Sequence, residues 1–131
     1  MVNGKKNRTV GFDGEKAAKE FLKENNYKIV EQNFRTRFGE IDIIAKDGNY
    51  IVFVEVKTRS VEKDLYSYFG SPASAVDGKK QFRTIQAARQ YLLCHPNIQK
   101  QPRFDVIEVY LDRYNGNTIN VNHIINAFGI K

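Results

Sequence analysis

The stretch GEIDIIAKDGNYIVFVEVK, residues 39–57, decides the fold and most of the functional reading. Both arms are rich in Ile, Val and Phe, and the Asp47-Gly48 pair between them is a hairpin signal. Period two puts Phe53, Glu55 and Lys57 on one face of the second arm and Val52, Val54 and Val56 on the other. On the first arm Glu40, Asp42 and Ile44 share a face. The turn then sets the register. A two-residue turn at Asp47-Gly48 pairs Lys46 with Asn49, sets Asp42 opposite Phe53 and sets Glu40 opposite Glu55. A four-residue turn sets Asp42 directly opposite Glu55. Either register gathers Asp42, Glu55 and Lys57, at about 5–8 Å between Cβ atoms, and only a slip of one residue separates them.

Working outward, DGEKAAKEFLKEN (residues 13–25) reads as a helix capped by Asp13, with Ala17, Ala18, Phe21 and Leu22 on its buried side. Glu15 falls at the border of that apolar stripe, where a carboxylate needs a reason. YKIVEQNFRT (27–36) reads as a strand ahead of the hairpin. After an irregular stretch broken by Gly70 and Pro72, a second helix is expected from Asp77 to Cys94. Its apolar stripe is Phe82, Ile85, Ala88, Leu92 and Leu93, and His95-Pro96-Asn97 ends it. RFDVIEVYL (103–111) and TINVNHI (118–124) read as two more strands. The order is α-β-β-β-α-β-β. A helix between the third and fourth strands implies a crossover that makes them parallel, hence an α/β fold with a mixed central sheet flanked by helices.

Length and composition agree with one domain. A chain of 131 residues with 41% apolar and 27% charged residues can bury a core without a staple. Residues 1–10 read as a loose basic tail and 11–131 as a single domain. One cysteine, Cys94, allows no internal disulfide, and neither a signal peptide nor a membrane-spanning segment is legible, so a cytoplasmic protein with no membrane partner is expected. The net charge of +6 makes nucleic acid a reasonable partner.

The hairpin carries the chemistry. Acidic groups and a lysine inside a strongly β-forming run are costly unless paired, and a divalent ion would compensate them. Asp42 and Glu55 are hard oxygen ligands suited to Mg²⁺ or Mn²⁺, and Lys57 could orient or deprotonate an attacking water. The competing reading of Glu55-x-Lys57 is a solvated ion pair on an exposed strand face. Arg59, Lys79, Lys80 and Arg83 could hold a phosphate backbone, and Tyr66, Tyr68 and Phe69 could stack on bases. A solvated helix face and an anchored loop explain the same residues without a ligand.

Glu15, then Gly39-Glu40-Ile41-Asp42, then Val54-Glu55-Val56-Lys57 resemble the PD-(D/E)XK nuclease core, in particular its archaeal Holliday-junction resolvase branch, with Ile41 where the strict motif has proline. Together with Phe69-Gly70-x-Pro72, Ala75-Val76 and Arg103-Phe104-Asp105-Val106-Ile107, they resemble the YraN-like family of small bacterial proteins from Gly11 to about Phe128. The resemblance implies a restriction-endonuclease-like core. It implies Asp42, Glu55 and the Val56 carbonyl as metal ligands, Lys57 as the catalytic lysine and Glu15 as the helix glutamate. Lys80 and Gln81 fall where related proteins carry a polar pair, and Gln81 either faces the site or bonds to a nearby loop.

The function expected is metal-dependent hydrolysis of phosphodiester bonds in DNA, including branched or structured forms. A homodimer is then expected, with the strand near Asn117 to His123 as a candidate edge. The alternatives are a non-catalytic nucleic-acid-binding module on the same fold and a protein-interaction adaptor. His95 and His123 suit surface or turn roles, and Cys94 suits the core.

Overall fold

A computed structural model of the chain describes residues 3–65 and 76–129. In chain order the elements are α1 (Asn3–Glu24), β1 (Lys28–Arg35), β2 (Glu40–Asp47), β3 (Tyr50–Val61), a 3-10 turn (Lys63–Leu65), α2 (Gly78–Cys94), β4 (Gln101–Asp112) and β5 (Thr118–Phe128). The expected order α-β-β-β-α-β-β is found. One sheet runs β1-β2-β3-β4-β5, with β3 and β4 parallel across the α2 crossover and every other pair antiparallel.

Each helix covers one face. Ala18 and Leu22 of α1 bury against Ile43, Ala45, Val52, Val54, Ile107 and Val109. Ala87, Ala88 and Tyr91 of α2 bury against Ile44, Ile51, Phe53 and Phe104. Full burial of a large apolar side chain is worth about 1.5–3 kcal/mol, so these two layers supply the main drive for folding. At the hairpin end, the Arg103 guanidinium donates to buried Asp105 at 3.0 and 2.8 Å, to the Tyr27 hydroxyl at 2.6 Å and to Asp47 at 3.1 Å. Burial alone would raise the Asp105 carboxyl, but hydrogen bonds from His123, Arg103 and the Asn126 N–H hold it below its ordinary value.

Four local expectations are corrected. Helix α1 takes in Asn3–Val10 of the stretch read as a tail, so Asp13 lies inside the helix instead of capping it. On α2, Thr84, Ala87, Ala88 and Tyr91 face the sheet, and the small alanines let the backbone approach it. Phe82 and Leu93 are then turned to solvent, 62% and 76% exposed, and Cys94 is exposed as well. His123 is neither on the surface nor in a turn: its Nε2 lies 2.8 Å from the Asp105 carboxylate in the sheet. His95 does close α2, its N–H donating to the Leu92 carbonyl at 3.2 Å.

Candidate metal and phosphodiester site

The hairpin turn is Gly48-Asn49, one residue later than the Asp-Gly pair suggests, with Gly48 at φ 56°. The resulting ladder runs from Asp47↔Tyr50 to Ile43↔Val54 and ends there. One further step in the same register sets Asp42 across from Glu55. In an unbroken ladder the Val56 N–H would point at Ile41. It donates instead to Asp42 Oδ2 at 2.8 Å. The Val56 carbonyl lies on the same side of the strand as its N–H and faces the same gap.

Strand β2 also changes face at this gap. Ile43 packs with the α1-side cluster and Ile41 with the α2-side cluster, although residues two apart in a regular strand share a face. The matching irregularity lies in β1, where Asn33 stands between the pairs Gln32↔Ile43 and Phe34↔Ile41 and adopts φ 51°. Asparagine is among the few residues that enter this left-handed region at low cost. The two strands therefore twist together, and the twist presents Asp42 at the edge of the core.

Both helices bring groups to the gap. A Cβ on Gly14 would stand 1.8 Å from Thr58 Oγ1, so α1 touches β3 one residue beyond Lys57 and carries Glu15 beside the carboxylates. The Asn33 side chain lies close enough to Glu15 to oppose the rise of its carboxyl. From α2, Lys80 Nζ lies 3.6 Å from Glu55 Oε2. The position of Lys80 is fixed at the helix start, where its N–H donates to the Asp77 N-cap carboxylate at 2.8 Å.

The electrostatics fit a site short of positive charge. Burial pushes the Asp42 carboxyl above its ordinary value and Glu40 adds to this, against the Val56 N–H and Lys80. Glu55 is raised by burial and by Asp42, opposed by Lys80 and Lys57. Glu15 is raised by burial, Asp42 and Glu40, opposed by Asn33. Asp42 thus raises both Glu15 and Glu55, and Glu40 raises both Glu15 and Asp42. Among the described residues no group of three His, Cys, Asp or Glu side chains is arranged to hold an ion. The donor set that fits a metal is two carboxylates and a backbone carbonyl, all hard oxygens, and Mg²⁺ typically takes one or two carboxylates and leaves its other positions to water and phosphate.

Of the expected site residues, Glu15, Asp42, Glu55, Lys57 and Lys80 converge. Arg59, Lys79 and Arg83 are exposed. Gln81 bonds locally, its amide donating to the Val76 carbonyl at 2.7 Å. Tyr66, Tyr68, Phe69, Gly70, Pro72 and Ala75 lie outside the described residues. Two residues beside the site escape sequence reasoning. Asn33 reaches it through the paired twist, and Glu108 stands in register with Lys57 on β4. Glu108 is fully buried; Oε1 accepts from Asn122 at 3.0 Å, while Oε2 has no hydrogen bond. A charged residue inside the apolar run of β4 was the signal available.

Residues 14–109 match the family model described as "Uncharacterised protein family UPF0102". That span holds Gly14, Glu15, Asn33, Asp42, Glu55, Lys57 and Glu108. A UPF0102 protein of Caldanaerobacter subterraneus subsp. tengcongensis is 48% identical over 92% of this chain and 95% of its own. UPF0102 proteins of Clostridium botulinum strains 657 and Hall are 44% and 46% identical, each over 95% of this chain and 97% of its own. These matches agree with the YraN-like resemblance, and the chain belongs to the UPF0102 family.

Proposed function

We propose that this protein is a metal-dependent endonuclease that hydrolyses phosphodiester bonds in DNA, branched or structured DNA included, in the bacterial cytoplasm. The supporting observation is the parting of β2 and β3, which gives Asp42 the Val56 N–H and sets it across from Glu55 with Lys57 two residues on. Asp42, Glu55 and the Val56 carbonyl would hold Mg²⁺ or Mn²⁺. The bound ion would supply positive charge for the phosphoryl oxygens and acidify a water.

The remaining groups have roles that follow from their places. Lys57 orients the attacking water or takes its proton. Lys80 compensates Glu55 in the free protein and, once Glu55 is otherwise compensated, stands ready for a phosphate oxygen. Glu15 limits how far that wall of the site can be neutralised by cations of the protein itself, which leaves charge for a metal to balance. Paired cuts in branched DNA call for a two-fold dimer, for which the edge strand β5 offers a surface.

Cleavage of a four-way junction and of a linear duplex, with Mg²⁺ or Mn²⁺ and with chelator, tests the proposal. Cutting should require the metal and should fall at least 100-fold in Asp42→Ala and Lys57→Ala. Undiminished cutting by Asp42→Ala would assign the reaction to another site.

A further inference from the structure

A cleft of about 450 Å³ lies between the β1–β2 turn and the first turns of α2, lined by Thr36, Arg37, Phe38, Glu40, Lys80 and Arg83. A second cavity of about 580 Å³ adjoins it across Thr36, Arg37 and Phe38, towards Gln90 and Cys94 of α2. The turn therefore stands as a ridge along a groove that follows the helix. One end of the groove opens on the carboxylate site, since Glu40 and Lys80 belong to both.

The ridge is built to hold its shape. Thr36 Oγ1 accepts the N–H of Phe38 at 3.0 Å and of Gly39 at 3.2 Å. Its hydroxyl donates to the Gly39 carbonyl at 3.1 Å. A Cβ on Gly39 would come within 3.3 Å of Arg83 Cβ, so the turn rests directly on α2. The Arg37 guanidinium lies over the Phe38 ring at 5.0 Å. Among the described residues neither Arg37 nor Arg83 has a salt bridge, whereas Arg35 has one with Glu40 at 3.6 Å and Lys80 has one with Glu55. Two exposed arginines thus line the cleft, neither held in a salt bridge among the described residues.

We propose that this cleft is the track of an unpaired polynucleotide strand, with Arg37 and Arg83 gripping successive phosphates and Phe38 giving a face to a base. The inference rests on the nuclease reading for its direction, because the strand would run towards Glu40 and Lys80. Repeating phosphates match cations on two walls, and an aromatic beside them is how single strands are held without base reading. A duplex can lie only across the mouth of a cleft bounded by a turn and a helix. An unpaired strand can lower its backbone between them.

Fluorescence anisotropy in EDTA, with a labelled single-stranded oligodeoxynucleotide and the same sequence as duplex, tests this apart from cleavage. The Arg37→Ala/Arg83→Ala double variant should lose at least tenfold in single-strand affinity. Its salt slope should fall by about 1.4, from two phosphate contacts at roughly 0.7 each. Phe38→Ala should weaken the single strand more than the duplex. Lys19→Ala/Lys23→Ala, which removes two charges from a separate cavity beside β1, should change affinity less than threefold. The assignment is overturned if wild type does not bind the single strand. It also fails if the Arg37/Arg83 variant binds like wild type, if the Lys19/Lys23 variant loses as much, or if duplex or polyglutamate binds more tightly than the single strand. Absence of metal-dependent cutting would refute the nuclease reading and leave these binding results to stand by themselves.

Discussion

Replacing Gly14 by alanine probes the contact that holds α1, and with it Glu15, against the site. The added Cβ would stand 1.8 Å from Thr58 Oγ1 and 2.8 Å from both Thr58 Cβ and Cγ2, where ordinary contact begins at 3.4 Å. Rotating the Thr58 side chain can remove the Oγ1 overlap but not the one with Cβ, and Thr58 is fixed by its pairing with Val109 of β4. The helix must therefore retreat. Overpacking costs about 1–3 kcal/mol, against a helix-propensity gain of about 0.5–1 kcal/mol for alanine over glycine, leaving a loss of up to about 2.5 kcal/mol. For a domain of this size that is a fall of up to about 10 °C in Tm, read by circular dichroism. Glu15 would shift with the helix, and a misplacement of about 1 Å can cost a reaction on the order of 100-fold, so any metal-dependent cleavage should fall further than stability does. Adding Thr58→Ala removes the 1.8 Å contact and should recover part of the Tm. A Gly14→Ala protein at least as stable as wild type, with Thr58 intact, would refute the close approach.

Two predictions concern groups nearer the carboxylates. Asn33→Gly keeps access to φ 51° and loses only the amide beside Glu15, whereas Asn33→Ala also meets the left-handed penalty of about 1–2 kcal/mol; alanine should lower Tm more than glycine, and both should impair cleavage. Equal Tm values for the two variants would remove the backbone argument. The second is a pH dependence. Because the Asp42 carboxyl titrates above its unfolded value, the folded state binds more protons than the unfolded state between the two. Stability is therefore lost as pH rises from the unfolded value, about 3.9, through the folded one. Asp42→Asn keeps an oxygen for the Val56 N–H and removes that charge, so denaturant unfolding should show its advantage over wild type growing with pH across this window. An advantage that shrinks with rising pH would reverse the assigned direction.

The sequence carried whatever depends on local pattern. The alternation in residues 39–57 located the hairpin, and the helix between Val61 and Gln101 required β3 and β4 to be parallel. Either register weighed set Asp42 near Glu55 and Lys57, but the face change between Ile41 and Ile43 breaks the period-two alternation from which their shared face was read. Features that depend on distant partners were hidden. Nothing in QNF around Asn33 announces a left-handed residue, because asparagine tolerates that conformation without requiring it and the pairing with β2 decides which asparagine inside a strand adopts it. The face change between Ile41 and Ile43 is invisible for the same reason, since both are isoleucine and both are buried. Phe82 and Leu93 misled because their apolarity outweighed the smaller Thr84 and Ala87 and the polar-tipped Tyr91, which form the real contact. His123 gave no sign of Asp105, which lies on the adjacent strand.

The central claim is that Asp42 and Glu55 hold a divalent ion between them. Calorimetric titration of Mg²⁺ and of Mn²⁺ into the purified protein, with and without a branched DNA, tests it against Asp42→Ala and Glu55→Ala. Saturable binding in wild type that is lost in both variants is the expected result. Binding that persists unchanged in both variants, or none to wild type even with DNA present, would contradict it.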